Sequence, residues 1–341
     1  SGGGVPRSGE HKTSKTSTAG EQRGEGERSV SQEHVPVALE RTIELLSPAL
    51  TGASPYLIDA TLGLGGHTEK LLEKFTQLHV IGIDRDKKAL EKASYRLAKF
   101  EGRVTLVHAI YDQIRQVAHE RGVHEVNGIL FDLGVSSMQL DSSDRGFAYS
   151  HEAPLDMRMD QSQGISASEV VNTFPLEELT RILRVYGEEK FAHRIASRII
   201  QERKVGALNS TIALANLVKE SIPAATRRSG GNPAKRTFQA LRIYVNNEMD
   251  VLERTIPEGL QLLALHGRMV VLSYHSLEDR IVKKAFTDVS ATEVLPGLPV
   301  EPRPAPYELL TRSSEGASDQ EIADNPRAQS VRIRAIERKA A

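Results

Sequence analysis

The sequence predicts an α/β protein with a doubly wound, mostly parallel sheet and an inserted helical domain. Three observations lead to this prediction. Between residues 56 and 132, four short apolar runs alternate with helical patterns, as in consecutive βαβ units. A glycine-rich turn joins the first run to its helix. The alternation then stops and returns only near residue 248, which indicates an insertion.

Composition divides the chain before any motif is considered. Residues 1–32 contain almost no large apolar side chains, so a disordered tail is expected there. That tail has no apolar core of a secretory signal, and its acidic residues argue against a transit peptide. Residues 33–140 and 241–341 are predicted to build the sheet domain, and residues 141–240 the helical insertion.

The residue counts exclude several classes of protein. The 341-residue chain has no cysteine, so it has no disulfide framework or thiolate metal site, and this fits a reducing compartment. Its 11 histidines are scattered without a paired ligand pattern, so no metal site is expected. No apolar run is long enough to cross a membrane. With a formal net charge of −1, nucleic-acid binding would require a local basic patch.

The first strand begins at Tyr56 and ends at Asp59, and a helical pattern from about Glu69 follows the glycine-rich turn. Glycines let the backbone approach a ligand closely, and the helix start offers unpaired N–H groups. The second apolar run, 80–83, ends in Asp84, where a carboxylate can accept hydrogen bonds from ribose hydroxyls. This combination indicates an adenosine-type ligand, against the alternative of a plain strand-to-helix turn.

Glycine spacing bears on which ligand is bound. A dinucleotide fingerprint needs a third glycine where this chain has Thr68, and this opposes NAD. The carboxylate of Asp59, four residues before the glycines, instead suits an ammonium group such as that of S-adenosylmethionine.

The alternation continues with a helix over 89–100, a strand over 104–108, a helix over 110–121 and a strand over 128–131. Ligands of such sheets lie beyond the carboxyl ends of the strands. We therefore expect one crevice to be surrounded by the residues that follow the four strands, Asp59, Asp84, Tyr111 and Asp132.

The insertion is turn-rich up to residue 159 and helical from Ser166. Between residues 181 and 242 it carries thirteen Lys and Arg against four Glu, an excess of nine positive charges. For any single residue, a solvated helix face is an adequate interpretation. The densest part favours a flexible loop that contacts RNA phosphates through Arg227, Arg228, Lys235 and Arg236.

The sheet pattern then returns with a helix over 248–265 and a strand over 268–272. A helix is expected from Ser276, with Ser276 as its N-cap and Asp279 three residues later. Residues 295–324 are Pro-rich and are expected to be irregular. An alternating stretch over 330–336 predicts a last strand.

Several stretches together resemble one family, the RsmH (MraW) family of ribosomal RNA cytosine-N4 methyltransferases. The matching stretches, in order, are Asp59-Ala-Thr-Leu-Gly-Leu-Gly-Gly-His67, Asp132-Leu-Gly-Val-Ser-Ser-Met-Gln-Leu140, Arg145-Gly-Phe, Pro154-Leu-Asp-Met-Arg-Met-Asp160, Arg236-Thr-Phe-Gln-Ala-Leu-Arg-Ile243, Val245-Asn246, His275-Ser-Leu-Glu-Asp-Arg280 and Asn325-Pro-Arg-Ala328. The resemblance covers residues 34–338.

This resemblance implies a class I (Rossmann-like) methyltransferase that uses S-adenosylmethionine to methylate a decoding-centre cytosine of 16S ribosomal RNA. The small ribosomal subunit would be its partner. The cofactor contacts it implies are Gly65, Gly66, His67, Asp84, Tyr111, Asp132 and Gln139. The chain departs from the family where Tyr111 replaces a common Phe, Met138 a common Pro, Lys235 a Thr and Tyr274 a Phe.

The chemistry is attack of a delocalised exocyclic amine on a sulfonium methyl group. The site must hold the amine in line and accept its hydrogen bonds as positive charge develops. Asp132 is the candidate acceptor, with Ser136 and Ser137 as candidate helpers. Phe147 and Tyr149 are near in sequence for stacking on the base.

Other interpretations stay open at the level of sequence. His275 suits either a substrate contact or a hydrogen-bonded strand end. A ribosome-assembly factor that binds RNA without catalysis is one alternative function, and an NAD-dependent dehydrogenase is another. The bacterial cytoplasm is expected in preference to the mitochondrial matrix, and a homodimer is one candidate assembly.

Overall fold

A seven-stranded sheet forms the centre of the described part of the chain, which is residues 35–227, 231–292, 296–297 and 299–341 of a computed structural model. Within it, Pro36–Ala341 is one compact unit. The predicted tail, residues 1–32, and Arg228 lie outside the described residues. The strands are β1 (Tyr56–Asp59), β2 (His79–Asp84), β3 (Val104–His108), β4 (Val126–Asp132), β5 (Leu263–Ser273), β6 (Tyr307–Leu309) and β7 (Arg332–Arg338).

The strand order is β3-β2-β1-β4-β5-β7-β6. Strands β1 to β5 pair in parallel, and β7 runs antiparallel to both β5 and β6. From β1 the chain builds outward through β2 and β3, and it then returns to place β4 on the other side of β1. The order reverses at this point, which places the expected ligand crevice beyond the carboxyl ends of β1 and β4. The predicted doubly wound, mostly parallel sheet is confirmed.

Helices cover both faces of the sheet and build the insertion. They are α1 (Leu39–Leu46), α2 (Gly66–Lys74), α3 (Lys87–Arg96), α4 (Ile114–Glu120), α5 (Ser137–Asp141), α6 (Ala167–Thr173), α7 (Leu176–Gly187), α8 (Ala192–Val205), α9 (Thr211–Ser221), α10 (Ala224–Arg227), α11 (Lys235–Val245), α12 (Glu248–Leu262), α13 (Ser276–Ser290) and α14 (Asp319–Asp324). None of the helices in the described ranges is long and apolar enough to span a bilayer.

Apolar side chains of β1 point alternately to the two faces, as the two-residue period of a strand requires. Leu57 joins the cluster under α1, α2 and α3, whereas Ile58 joins the cluster under α4, α12 and α13. A third apolar cluster lies within residues 147–241 and is built largely by helices α6 to α9 and α11. Helix α11 passes through residue 240, where the insertion was expected to end, and the domain boundaries stay a prediction.

Three local expectations were wrong. The helix expected up to residue 265 ends at Leu262, because Leu263 already pairs with Val126 of β4. The Pro-rich segment expected to be irregular contains β6 and α14. The N-cap of α13 is His275 and not Ser276, since the Nδ1 atom of His275 accepts the N–H of Glu278 at 3.4 Å.

Candidate active site

The glycine-rich turn is fastened to the end of β2 by Asp84. The backbone N–H of Gly63 donates to Oδ2 of Asp84 at 2.8 Å, and the N–H of Asp86 donates to Oδ1 at 2.8 Å. Gly63 and Gly65 have φ angles of 56° and 80°, in the region that favours glycine. Burial raises the pKa of Asp84 to about 6. The carboxylate is therefore held beside the turn with its charge poorly solvated.

The end of β1 carries a second buried carboxylate, Asp59. The hydroxyl of Thr68 donates to its Oδ2 at 2.7 Å, and the N–H of Thr61 donates to its Oδ1 at 3.3 Å. Burial raises the pKa of Asp59 to about 6 against these two hydrogen bonds, and the negative charge of Asp132 raises it as well. Asp59 and Asp132 are therefore close enough to interact electrostatically.

His67 lies in the first turn of α2, where its ring reaches Val37 on one side and Asp132 on the other. Its Nε2–H donates to the carbonyl of Val37 at 3.0 Å, because a carbonyl can only accept. The Nδ1 atom, 4.0 Å from Oδ2 of Asp132, therefore carries the lone pair of the neutral ring. Burial lowers the pKa of His67 and favours this neutral form. At the preceding Gly66, a Cβ atom would lie 2.5 Å from the ring of Pro36.

Asp132 follows β4 and is partly buried, with 29% of its side chain exposed, whereas Asp59 is almost fully buried. Its backbone N–H donates to Oγ1 of Thr61 at 2.6 Å, and the hydroxyl of Tyr274 donates to its Oδ1 at 2.5 Å. Burial raises the pKa of Asp132 to about 7, with a smaller rise from the charge of Glu278 and an opposing effect of Tyr274. Its charge can thus change near neutral pH.

Tyr111 begins a short 3₁₀ helix after β3, where a helix was expected to have started at residue 110. Its ring is half-buried and lies edge-on to Phe131 of β4, with centroids 5.6 Å apart and an interplanar angle of 87°. Burial raises the pKa of its hydroxyl, which therefore stays protonated. One ring face of such a tyrosine can stack on an adenine.

The structure uses Ser136, Ser137 and Gln139 to hold the loop after β4. Ser136 and Gln139 form a capping box at the start of α5, with hydrogen bonds of 3.1 and 3.2 Å between side chain and backbone. The hydroxyl of Ser137 accepts a hydrogen bond from Arg327. None of the hydrogen bonds of the described residues joins either serine to Asp132. The roles of the serines as helpers, and of Gln139 as a cofactor contact, stay predictions.

Sequence reasoning missed a buried ion pair beside the crevice. Asp86 and Arg145 are almost fully buried and meet at 2.9 Å. The other Asp86 oxygen caps α3, and Gln139 also donates to Asp86, at 3.0 Å. Arg145 donates in addition to the carbonyls of Arg158 and Met159. The Arg145-Gly-Phe motif was the available signal, but only the fold shows that its arginine meets Asp86.

Asn246, in another of the resembling stretches, joins the insertion to the sheet domain. Its side chain bonds the backbone of Met157 and Met159 at 2.9 and 2.8 Å, and its own carbonyl accepts from Arg85, next to Asp84. The two aromatic residues noted as near in sequence for stacking on the base, Phe147 and Tyr149, both pack against the apolar cluster of the insertion. Phe147 is buried beneath the Arg145 guanidinium, and Tyr149 lies edge-on to Phe238.

Of the four basic residues expected to contact RNA, Arg228 lies in the undescribed residues 228–230. Arg227 precedes this gap, and Lys235 and Arg236 follow it. Lys235 and Arg236 are exposed at the start of α11. Arg236 also donates to the carbonyl of Gly187 at 3.2 Å, and Arg227 donates to the carbonyl of Ile222 at 2.9 Å. Both arginines thus bond the ends of neighbouring helices.

A family model and two related proteins match most of the chain. Residues 31–339 match the model of the MraW methylase family. The chain is 56% identical over 307 residues to "Ribosomal RNA small subunit methyltransferase H" of Thermobifida fusca, covering 89% of this chain and 93% of that protein. The protein of the same name from Streptomyces avermitilis is 55% identical over 307 residues, covering 89% of this chain and 96% of its relative.

Proposed function

Because the chain belongs to the MraW methylase family, whose methyl donor is S-adenosylmethionine, we propose that it methylates small-subunit ribosomal RNA at the exocyclic N4 amine of a decoding-centre cytosine. The observation that carries the proposal is the position of Asp132, a partly buried carboxylate at the switch point of the sheet. The small ribosomal subunit is the proposed partner, and the bacterial cytoplasm is the proposed location.

The residues around the crevice fit this cofactor chemically. Asp84 would accept hydrogen bonds from the ribose hydroxyls, Tyr111 would stack on the adenine, and Asp59 would face the ammonium group. The turn at Gly65, Gly66 and His67 would approach the cofactor closely. Burial raises the pKa of both Asp59 and Asp84, and carboxylates in that condition gain most from a cationic or hydroxyl-rich ligand. Gln139, whose amide donates to Asp86, is the remaining proposed cofactor contact.

When bound, S-adenosylmethionine would supply an electrophilic methyl group to the N4 lone pair, and the electron pair of the broken C–S bond would stay on the neutral thioether that leaves. Asp132 accepts an N4–H hydrogen bond, which holds the amine and offsets the positive charge that develops on nitrogen. It then takes the N4 proton on its free oxygen. Burial makes it a stronger base than an ordinary aspartate, with a pKa of about 7.

The target cytosine must leave its stack to reach Asp132. We propose that the basic residues of the insertion hold the surrounding RNA through its phosphates. Exposed Lys235 and Arg236, together with Arg227 and Arg228, would supply this grip.

Transfer of labelled methyl groups to small subunits, followed by digestion to nucleosides and mass spectrometry, tests the proposal. We expect the label in N4-methylcytidine. Label in another nucleoside would refute the proposed target, and no transfer in the presence of RNA binding would favour the assembly factor. Asp132→Asn should slow single turnover by about 100 to 1000-fold, the cost of removing one electrostatic interaction from the transition state. Asp288→Asn, at an exposed position of α13, is the matched control and should keep the full rate.

A further inference from the structure

Tyr274 is brought to the proposed acceptor by strand pairing. In the parallel pair of β4 and β5, Asp132 lies opposite Leu272, so the chain leaving β5 passes beside Asp132 two residues later. There the Tyr274 hydroxyl donates to Oδ1 of Asp132 at 2.5 Å. The backbone N–H of Tyr274 donates to Oε1 of Glu278, which is buried, at 2.9 Å. The tyrosine is therefore fixed at its backbone and at its hydroxyl.

The two oxygens of Asp132 have different surroundings. Oδ1 is taken by Tyr274, whereas Oδ2 receives no hydrogen bond from the residues that the structure describes. The nearest basic group to Oδ2 is His67, whose Nδ1 lies 4.0 Å away and carries a lone pair while Nε2–H is bound to Val37. Neutral His67 therefore cannot donate to Oδ2. The carboxylate is anchored on one side and open for a donor on the other.

We propose that Tyr274 is a positioning residue for methyl transfer, whose hydroxyl anchors Oδ1 of Asp132 so that Oδ2 meets the amine. The inference rests on the proposed role of Asp132 as acceptor. A phenylalanine would fill the same space without the hydrogen bond.

Every charged group around Asp132 bears on the expected pH dependence. Glu278, from α13, raises the pKa of Asp132, and Asp59, from β1, interacts with it as a second negative charge. Neutral His67, from α2, offers no positive charge. Tyr274 opposes these effects, and its own pKa is raised well above the ordinary value by burial and by Asp132, so it keeps its proton. Removing its hydroxyl should raise the pKa of Asp132 further.

The test is Tyr274→Phe, measured as single-turnover methylation of small subunits at saturating S-adenosylmethionine from pH 6 to pH 9. We expect the acid limb of the profile to move up by about one pH unit, the scale of one hydrogen bond to a charged group. The rate should fall by about fivefold at the midpoint of the wild-type acid limb, which the raised pKa of Asp132 places near neutral pH, and recover towards pH 9. Cofactor affinity by calorimetry should not change.

Tyr307→Phe is the matched control, because its hydroxyl also makes one partly buried hydrogen bond, to the carbonyl of Leu260 at 2.6 Å, but at the opposite end of the sheet from Asp132. Its pH profile should superimpose on that of the wild type. A rate loss in Tyr274→Phe that is equal at every pH would overturn the proposal, as would an unchanged profile. Asp132→Asn distinguishes a failure of the acceptor role of Asp132 from a failure of the positioning role of Tyr274. If Asp132→Asn stays fully active, Asp132 is not the acceptor. If it is inactive while Tyr274→Phe behaves as wild type, only the positioning role fails.

Discussion

Replacing Asp59 by Asn should stabilise the cofactor-free protein at pH 8. The change removes a buried charge and keeps a hydrogen-bond partner for both groups that now bond Asp59. The new Oδ1 can accept the N–H of Thr61, as the carboxylate does now. The new NH₂ group can donate to Thr68, because a hydroxyl that now donates to Asp59 can rotate and accept instead. The difference between the two proteins therefore reports the cost of the charge.

The magnitude follows from the pKa of Asp59, which rises from 3.8 to about 6 on folding. Each unit corresponds to about 1.4 kcal/mol, so the ionised carboxylate costs about 3 kcal/mol of folding stability. Because the folded-state pKa is the higher one, the native state binds the proton more tightly. The favourable contribution is complete below about pH 4 and is lost as the pH rises through about 6.

Urea denaturation of the cofactor-free proteins at pH 8 and pH 5 measures this cost. The variant should be more stable by about 3 kcal/mol at pH 8 and by about half that value at pH 5. Asp288→Asn, at an exposed site, should differ from the wild type by less than about 0.5 kcal/mol at both pH values. A less stable variant at pH 8, or a difference independent of pH, would refute the assignment of the cost to charge burial. The variant should also bind S-adenosylmethionine more weakly if Asp59 faces the ammonium group.

Three further changes test the other parts of the site. Asp84→Ala should weaken S-adenosylmethionine binding by about 1–3 kcal/mol in calorimetry, the value of a hydrogen bond to a charged group, and unchanged affinity would place the ribose elsewhere. A second change neutralises all four proposed RNA-contacting residues together, namely Arg227, Arg228, Lys235 and Arg236. The log–log slope of RNA affinity against salt should become shallower by about 0.7–0.9 for each phosphate contact that is lost. An unaltered slope would make these residues ordinary surface charges. Arg145→Met should destabilise the fold by about 3–5 kcal/mol in urea, because it leaves the buried Asp86 carboxylate without its cation, and a loss below about 1 kcal/mol would show that water replaces the guanidinium.

Periodicity was sufficient to predict the parallel sheet and the residues at its strand ends. Strands buried on both faces are short apolar runs, and the polar residue that ends each run falls at the same edge of a parallel sheet. The fourth strand was predicted over 128–131 and extends over Val126–Asp132. Local sequence failed where distant pairing decides. Leu263 to Leu265 continue the apolar pattern of α12, but Leu263 pairs with Val126 of β4 and the chain begins β5 there. The three-residue strand β6 exists only because β7 lies beside it.

The site was harder to predict, because family motifs mix residues that face the crevice with residues that support it. Gln139 is such a case. Its position in a resembling motif predicts a cofactor contact, and the structure adds a hydrogen bond from its amide to Asp86, which is 53 residues away in sequence. Nothing in the local pattern distinguishes it from Asp132, seven residues earlier in the same motif. The distinction depends on which side chains the fold brings opposite each of them.

The direction of the pKa shift separates carboxylates at the proposed site from carboxylates that the fold pairs with a cation. Among the described residues, a raised pKa is found for only three carboxyl groups, Asp59, Asp84 and Asp132. Asp279, by contrast, is paired with Arg334 and has a lowered pKa, so the fold itself supplies its counter-charge. The three raised groups end strands β1, β2 and β4 around the switch point, and the fold compensates the cost of their burial only in part, through hydrogen bonds and without a counter-charge as close as that of Asp279. A ligand with a cationic centre and hydroxyl donors would offset that cost on binding, so we expect the same burial that lowers stability to favour the proposed cofactor contacts.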